Sequence, residues 1–349
     1  MSPSAVRAQV TSSDAAAAAQ LKQVTPASRL VRVKTVTSAA ELATGFDNPL
    51  TCDSDGNLYL QTENLGVSGI RKLNLNGQKV ALFRPTANPD LQKIDFVGYF
   101  ALGKSGELYQ LTFPHEISRY VVAYKSDGGY KSTIKLQPGF AWMPSALAVF
   151  PSGDLLVAGE KYDREHMDGV KLPVTAIFSP EGKLLKEVEL KDDQTLYQMA
   201  VNGDSRVSAP TYASANLGVS QSQMEAGSDG NIYVMRWVSP AIFYAISAGG
   251  NVVRRFTVDP GAGDYRPVEM HIAGNRIAVL FFEPQTMEEV MKVVSLEGEE
   301  VATFQLDERP QYGTLGLAFA CYTENDSSRF TFLTTGDGDK LELRIAEPR

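Results

Sequence analysis

Cysteine and histidine are scarce in this 349-residue chain, which has two of the first and three of the second. Two cysteines exclude a disulfide-framework protein, and three histidines leave little material for a His-rich metal site. No apolar run reaches the roughly 18 residues that a membrane-spanning helix needs. Basic residues are also few. Lys and Arg total 33 against 41 Asp and Glu, a net charge of -8, which is the opposite of the footprint a general nucleic-acid binder presents. Residues 1–27 contain no aromatic side chain and are dominated by Ala, Ser, Thr and Gln, so they read as a tail with little to bury. That tail lacks the apolar core of a secretory signal, yet its small-residue run at 4–9 resembles the end of one. It is either the remnant of an export signal, implying a periplasmic or extracellular protein, or a cytoplasmic tail. The exported location is slightly preferred.

What the chain does have is an internal repeat, the feature that decides an architecture before any other. A short apolar run, a Gly-centred turn and a second apolar run recur around Gly56, Gly106, Gly153 and Gly230, and in degenerate form around Gly274. Asp-Gly and Ser-Gly between β-type runs are hairpin signals, because glycine accepts the positive φ that such turns demand. A second turn follows each of these, at Asn76-Gly77, Asp127-Gly128, Glu181-Gly182, Gly249-Gly250 and Glu297-Gly298, again between β-rich segments. Each unit thus holds two hairpins, or four antiparallel strands, and radial repetition of such units makes a β-propeller. Five units are complete. A sixth has only three strands, at 315–321, 330–333 and 341–345. The orphan alternating pattern at 30–36 supplies the fourth. The expectation is an all-β, six-bladed propeller of four-stranded antiparallel blades over residues 28–349, its ring closed by the N-terminal strand, which protects edges an open array would leave unpaired.

The motif Asp-x-Asp-Gly-Asn-Leu-Tyr-Leu at 53–60, repeated at 227–234, resembles the repeat of NHL-type six-bladed propellers. That resemblance runs from Arg29 onward. The wider superfamily includes lactonase-like, strictosidine-synthase-like and lyase-like enzymes. The sequence departs from the NHL consensus after the second strand, where Gln61-Thr62-Glu63 and Arg236-Trp237 stand.

In a propeller the loops between second and third strands and those between blades share one face, around the channel mouth. Counting from the turn glycines places Glu63, Glu160, Trp237 and Glu283 there, flanked by His115, Lys161 and Arg236, with Trp142 just before a first strand. Glu63, Glu160 and Glu283 fall on alternating units, where three carboxylates can converge on a hard cation such as Ca²⁺; equally they are solvated rim residues. His115 is a general-base candidate or a turn residue. Trp142 and Trp237, with Arg236, offer π faces and a planar donor to a glycan, peptide or aromatic group, or they fill the space between blades. Residues 191–222 form a long connection that can act as a lid or pack as an extra hairpin. Cys52 and Cys321 fall on first strands made adjacent by ring closure, either as a disulfide or as two buried thiols.

No nucleophile–base pair is recognisable. The reading is therefore a monomeric binding or scaffolding propeller with no required cofactor, recognising a peptide, glycan or protein partner at its channel face. The alternative is a Ca²⁺-dependent hydrolase or lyase of the lactonase-like class.

Overall fold

The architecture follows from the turns. The structure, a computed structural model, describes residues 28–41, 50–64, 67–84, 96–113, 119–161, 172–202, 222–306, 318–324, 328–335 and 340–349. Gly56, Gly106, Gly153 and Gly230 all have positive φ, and each reverses the chain between a first and a second strand. Asp53 shows how the side chains support this: its Oδ1 accepts the amides of Asp55 and Asn57 at 3.1 and 2.9 Å. These are Asx-turn bonds, in which a short carboxylate replaces a backbone acceptor.

Four meandering antiparallel sheets result. They are β2–β5 (Leu50–Cys52, Leu58–Asn64, Val67–Leu73, Lys79–Phe83), β6–β9 (Phe96–Leu102, Leu108–Phe113, Tyr120–Tyr124, Tyr130–Lys135), β10–β13 (Trp142–Val149, Leu155–Lys161, Leu172–Phe178, Leu184–Glu187) and β14–β17 (Ser222–Ala226, Ile232–Arg236, Ala241–Ile246, Val252–Val258). The remaining strands are β18–β21 (Arg266–Ala273, Arg276–Glu283, Glu288–Ser295, Glu300–Leu306), β22–β24 (Ala318–Glu324, Ser328–Thr335, Lys340–Pro348) and the N-terminal β1 (Ser28–Glu41). Where the sequence predicts two separate blades, these form one eight-stranded sheet in the order β18-β19-β20-β21-β1-β24-β23-β22. The cause is β1. It pairs antiparallel with β24, Thr35 opposite Arg344 and Val36 opposite Leu343, and its first residues also pair parallel with β21, Ser28 opposite Phe304. One long strand thereby completes the last meander and bridges to the one before it.

The first strands pack side by side in the order β6, β10, β14, β18, β22, β2 and line a central cavity, the arrangement of a β-propeller. The second set of turn glycines holds neighbouring sheets together. A Cβ on Gly182 would stand 2.1 Å from the Lys135 carbonyl oxygen of β9, and one on Gly77 would stand 3.1 Å from Ser38 of β1. Both residues have positive φ, so position and conformation each require glycine. Ser38 Oγ donates to the Gly77 carbonyl at 2.7 Å, tying the N-terminal strand to the first sheet. Cys52 of β2 and Cys321 of β22 form a disulfide, Cα atoms 5.5 Å apart, at the same junction. With a sequence separation of 269, the chain-entropy treatment puts its stabilisation at ~5.6 kcal/mol.

If β1 closes the structure, deleting residues 1–40 is expected to lower the melting temperature far below that of a 1–24 deletion, which should match the full chain. Equal melting curves for the two truncations would show that β1 contributes nothing.

Candidate functional site in the central cavity

A first strand has one edge paired to its own sheet and the other facing the channel, and that second edge carries backbone groups that need partners. Side chains of the neighbouring first strand supply them. Gln223 of β14 exchanges two bonds with Met270 of β18: its Nε2 donates to the Met270 carbonyl at 2.7 Å and its Oε1 accepts the Met270 amide at 2.6 Å. Two residues on, Glu225 Oε2 accepts the Ile272 amide at 2.7 Å. The next step repeats the device. Glu269 and His271 of β18 engage Phe319 of β22, the amide bonding the Glu269 carboxyl and the carbonyl lying 3.2 Å from His271 Nε2. Side chains at i and i+2 face the same way on a strand, so each pair acts as a fragment of a missing strand.

His271 is 1% exposed. A carbonyl can only accept, so Nε2 carries a proton; Nδ1 in turn lies 3.0 Å from Glu225 Oε1. Both ring nitrogens lie near acceptors, which favours the cationic imidazole, the Nδ1 contact being an ion pair without hydrogen-bond alignment. Burial opposes that charge, but the Glu225 carboxylate outweighs it and the His271 pKa is raised. Thr51 of β2 also donates to Glu225 Oε1, at 3.4 Å. In the order of first strands β2 and β14 lie on opposite sides, so this bond spans the cavity.

Toward the face where second strands turn into third strands, the cavity is walled by Tyr99, Trp237, Val268 and Glu269, within a volume of about 1230 Å³. Two of these residues lie in β-bulges. Tyr99 falls in the register shift between Val97 and Phe100, and Val268 in the one between Pro267 and Glu269. Bulges add a residue to one strand and re-aim side chains. Glu269 Oε2 and Trp237 Nε1 are buried and make no hydrogen bond. Burial lifts the Glu269 pKa to about 7, with repulsion from Glu225 adding and His271 opposing. Glu289 of β20 is likewise raised to about 7 by burial and by the charge of Glu269. A cavity with a perturbed carboxyl in its wall is where binding or proton transfer is favoured.

The rim residues singled out from the sequence are dispersed. Trp142 is 4% exposed, stacked on Phe178 at 5.4 Å and edge-on to Phe140, so it belongs to the core and not to a ligand face. Arg236 is 1% exposed and pairs with Asp193 at 2.7 Å; it anchors a helix instead of facing the channel. That helix, α1 (Asp193–Val201), occupies the start of the expected lid and packs Leu196 on Val238. The backbone carbonyl of Asp192 accepts the Leu196 amide at 2.9 Å as the first helical bond, and its carboxylate is held by Arg255 of β17 at 2.7 Å. Burial raises the Asp193 pKa despite Arg236. Lys161 pairs with Glu187 at 3.3 Å and covers the Phe140 ring at 4.1 Å. Glu283 closes its own turn, accepting the amides of Gln285 and Thr286 at 3.2 and 2.6 Å. Glu160 is buried on β11, opposite Met143 and Pro173. Among the described residues no three His, Cys, Asp or Glu side chains are grouped to hold a metal ion; the Glu63 side chain, His115 and residues 203–221 lie outside the described residues. Of the described rim residues, only Trp237 lines the cavity. The sequence reading missed Tyr99, Glu225, Glu269 and His271. The available signal was Gln-x-Glu at 223–225 followed by Glu-x-His at 269–271, polar pairs at strand spacing inside first strands.

No family model and no curated protein matches the chain. Solved structures resemble it weakly. A luciferin-regenerating enzyme is 10% identical, with 90% of this chain and 95% of that one covered and a TM-score of 0.48. Virginiamycin B lyase from Staphylococcus aureus, in a catalytically inactive form with quinupristin, is 12% identical with 89% and 99% covered and a TM-score of 0.41. A protein of unknown function from Bacteroides caccae is 12% identical with 80% and 83% covered and a TM-score of 0.38. These similarities carry no argument about chemistry, and the propeller architecture rests on the sheets and cavity described above.

Two outcomes follow from the geometry. Replacing Arg236 by Leu leaves Asp193 buried without its cation, a loss expected to cost about 3 kcal/mol and to expose α1 to proteolysis; urea denaturation and limited digestion measure both. The raised Glu269 pKa means the folded state holds a proton that the unfolded state releases near pH 4.5. The associated stability is full below that pH and is lost as pH rises through about 7. Glu269→Gln should therefore match the wild type at pH 4 and exceed it by about 3 kcal/mol at pH 8. A pH-independent difference would contradict this assignment.

Proposed function

We propose that this protein is a ligand-binding propeller whose recognition site is the central cavity and not the rim. The observation that carries the reading is the cavity itself, ringed by the first strands and lined by Tyr99, Glu225, Trp237 and Glu269. The cavity volume of about 1230 Å³ exceeds the 300–1,000 Å³ of typical small-molecule pockets (order of magnitude), which suits the end of a peptide or glycan. In this reading the eight-stranded sheet counts as two blades sharing β1, making six. The Cys52–Cys321 disulfide favours an oxidising compartment, and so an exported protein. A Ca²⁺-dependent hydrolase or lyase remains the competing class, with Glu160 as its testable ligand.

The chain has two tryptophans, so Trp142→Phe leaves Trp237 as a single reporter. Peptide and glycan libraries screened by its fluorescence should yield a saturable ligand whose binding is lost in Val268→Phe, which narrows the cavity from a position that is 39% exposed and adds no tryptophan. A ligand that survives this substitution would place the site elsewhere. Stoichiometric Ca²⁺ lost on Glu160→Gln would favour the competing class.

A further inference from the structure

We propose that Cys52 is a thiol-exchange site, through which a small dithiol entering the central cavity opens the Cys52–Cys321 bond and releases β2 at the cavity mouth. This holds whatever the cavity binds. The two sulfurs differ in their surroundings. Cys321 is 1% exposed and sits in the middle of β22, in an apolar cluster with Leu50, Leu58, Leu333, Leu341 and Leu343. Cys52 is half-buried, lines the cavity and ends β2, next to the turn that begins at Asp53. Ser54 and Asp55 of that turn are exposed and line the same cavity, so Cys52 lies near its open end. Thiol–disulfide exchange depends on which sulfur a thiolate can reach, and here that sulfur belongs to Cys52.

A thiolate of the dithiol attacks Cys52 Sγ and forms a mixed disulfide. The Cys52–Cys321 bond breaks, and Cys321 leaves as a thiolate that takes up a proton, because apolar surroundings favour the neutral thiol. The second thiolate of the dithiol then attacks the mixed disulfide, closes a cyclic disulfide and frees Cys52. Two electrons pass from the dithiol to the protein. The strand most dependent on the lost bond is β2. It has three residues, the fewest of any described strand, and three register pairs hold it to β3. Its Thr51 reaches Glu225 through a long hydrogen bond of 3.4 Å. By contrast, β22 has six register pairs with β23, and its Phe319 is held by Glu269 and His271. The ring stays shut without the disulfide, since β1 remains paired with β24 and Ser38 with the Gly77 carbonyl. Reduction therefore loosens one strand at the mouth and leaves the blades in place.

The test treats the intact wild-type protein with dithiothreitol in native buffer, quenches samples with iodoacetamide, and reads each cysteine by peptide mass spectrometry. Amide hydrogen exchange is followed in parallel. The bond is expected to open without denaturant. Once it is open, Cys52 should be alkylated about tenfold faster than Cys321 or more. Exchange should rise about tenfold or more at residues 50–57, while β6–β21 keep their protection. Glutathione, a monothiol, should leave its mixed disulfide on Cys52 and not on Cys321. A Cys52→Ser variant, which lacks the bond from the start, should fold and show the exchange pattern of the reduced wild type with no reductant present. A bond that opens only in denaturant, a mixed disulfide on Cys321 or equal labelling of both thiols would overturn the assignment of Cys52. Protection lost across every blade, in the reduced protein or in the variant, would show a purely structural bond and overturn the local release of β2.

Discussion

Everything distinctive about this molecule depends on one constraint, the unpaired inner edge of each first strand. A meandering sheet satisfies three of its four strands on both sides or exposes them outward to water, but its first strand turns a row of amides and carbonyls toward a narrow channel. Those groups need partners as much as any others in the interior. On β18 and β22 they are met by the polar pairs Gln223/Glu225 and Glu269/His271. The pairs serve as strand fragments, and the charged chemistry of the cavity is a consequence of that structural role.

The same constraint explains why one carboxyl ends up frustrated. Glu225 is saturated, with the Ile272 amide, the Thr51 hydroxyl and His271 around it. Glu269 performs the equivalent task one strand further on, but one of its oxygens has no donor. A carboxyl in that situation keeps its proton to higher pH, so a residue recruited to complete a sheet edge ends up with a perturbed titration. The bulges in β6 and β18 sharpen the effect by turning an aromatic and an aliphatic side chain into the same space.

The rim, by contrast, is structural where it is described. Arg236 and Asp193 lock α1 to the fourth sheet, Glu283 closes a turn, and Trp142 fills the interface between the second and third sheets within one hydrophobic cluster. Each lies where simple strand counting places it. Counting says how far along a strand a residue sits, and it does not say whether a neighbouring sheet or helix has already covered that position.

The sequence by itself determined the strands, their grouping in fours, the hairpin turns and the use of the N-terminal segment as the partner of β24, because alternation, turn glycines and Asx residues are local signals with a period of two. It also placed Cys52 and Cys321 on neighbouring first strands. Only the tertiary structure decided that β1 reaches across to β21, that the cysteines are joined, and that Gln223, Glu225, Glu269 and His271 form one network. Those outcomes depend on which residues face inward across a ring and at what depth. Inner edges of strands some 45 residues apart in sequence (Glu225 and His271, for example) meet only after the blades have closed, and no local pattern encodes that meeting.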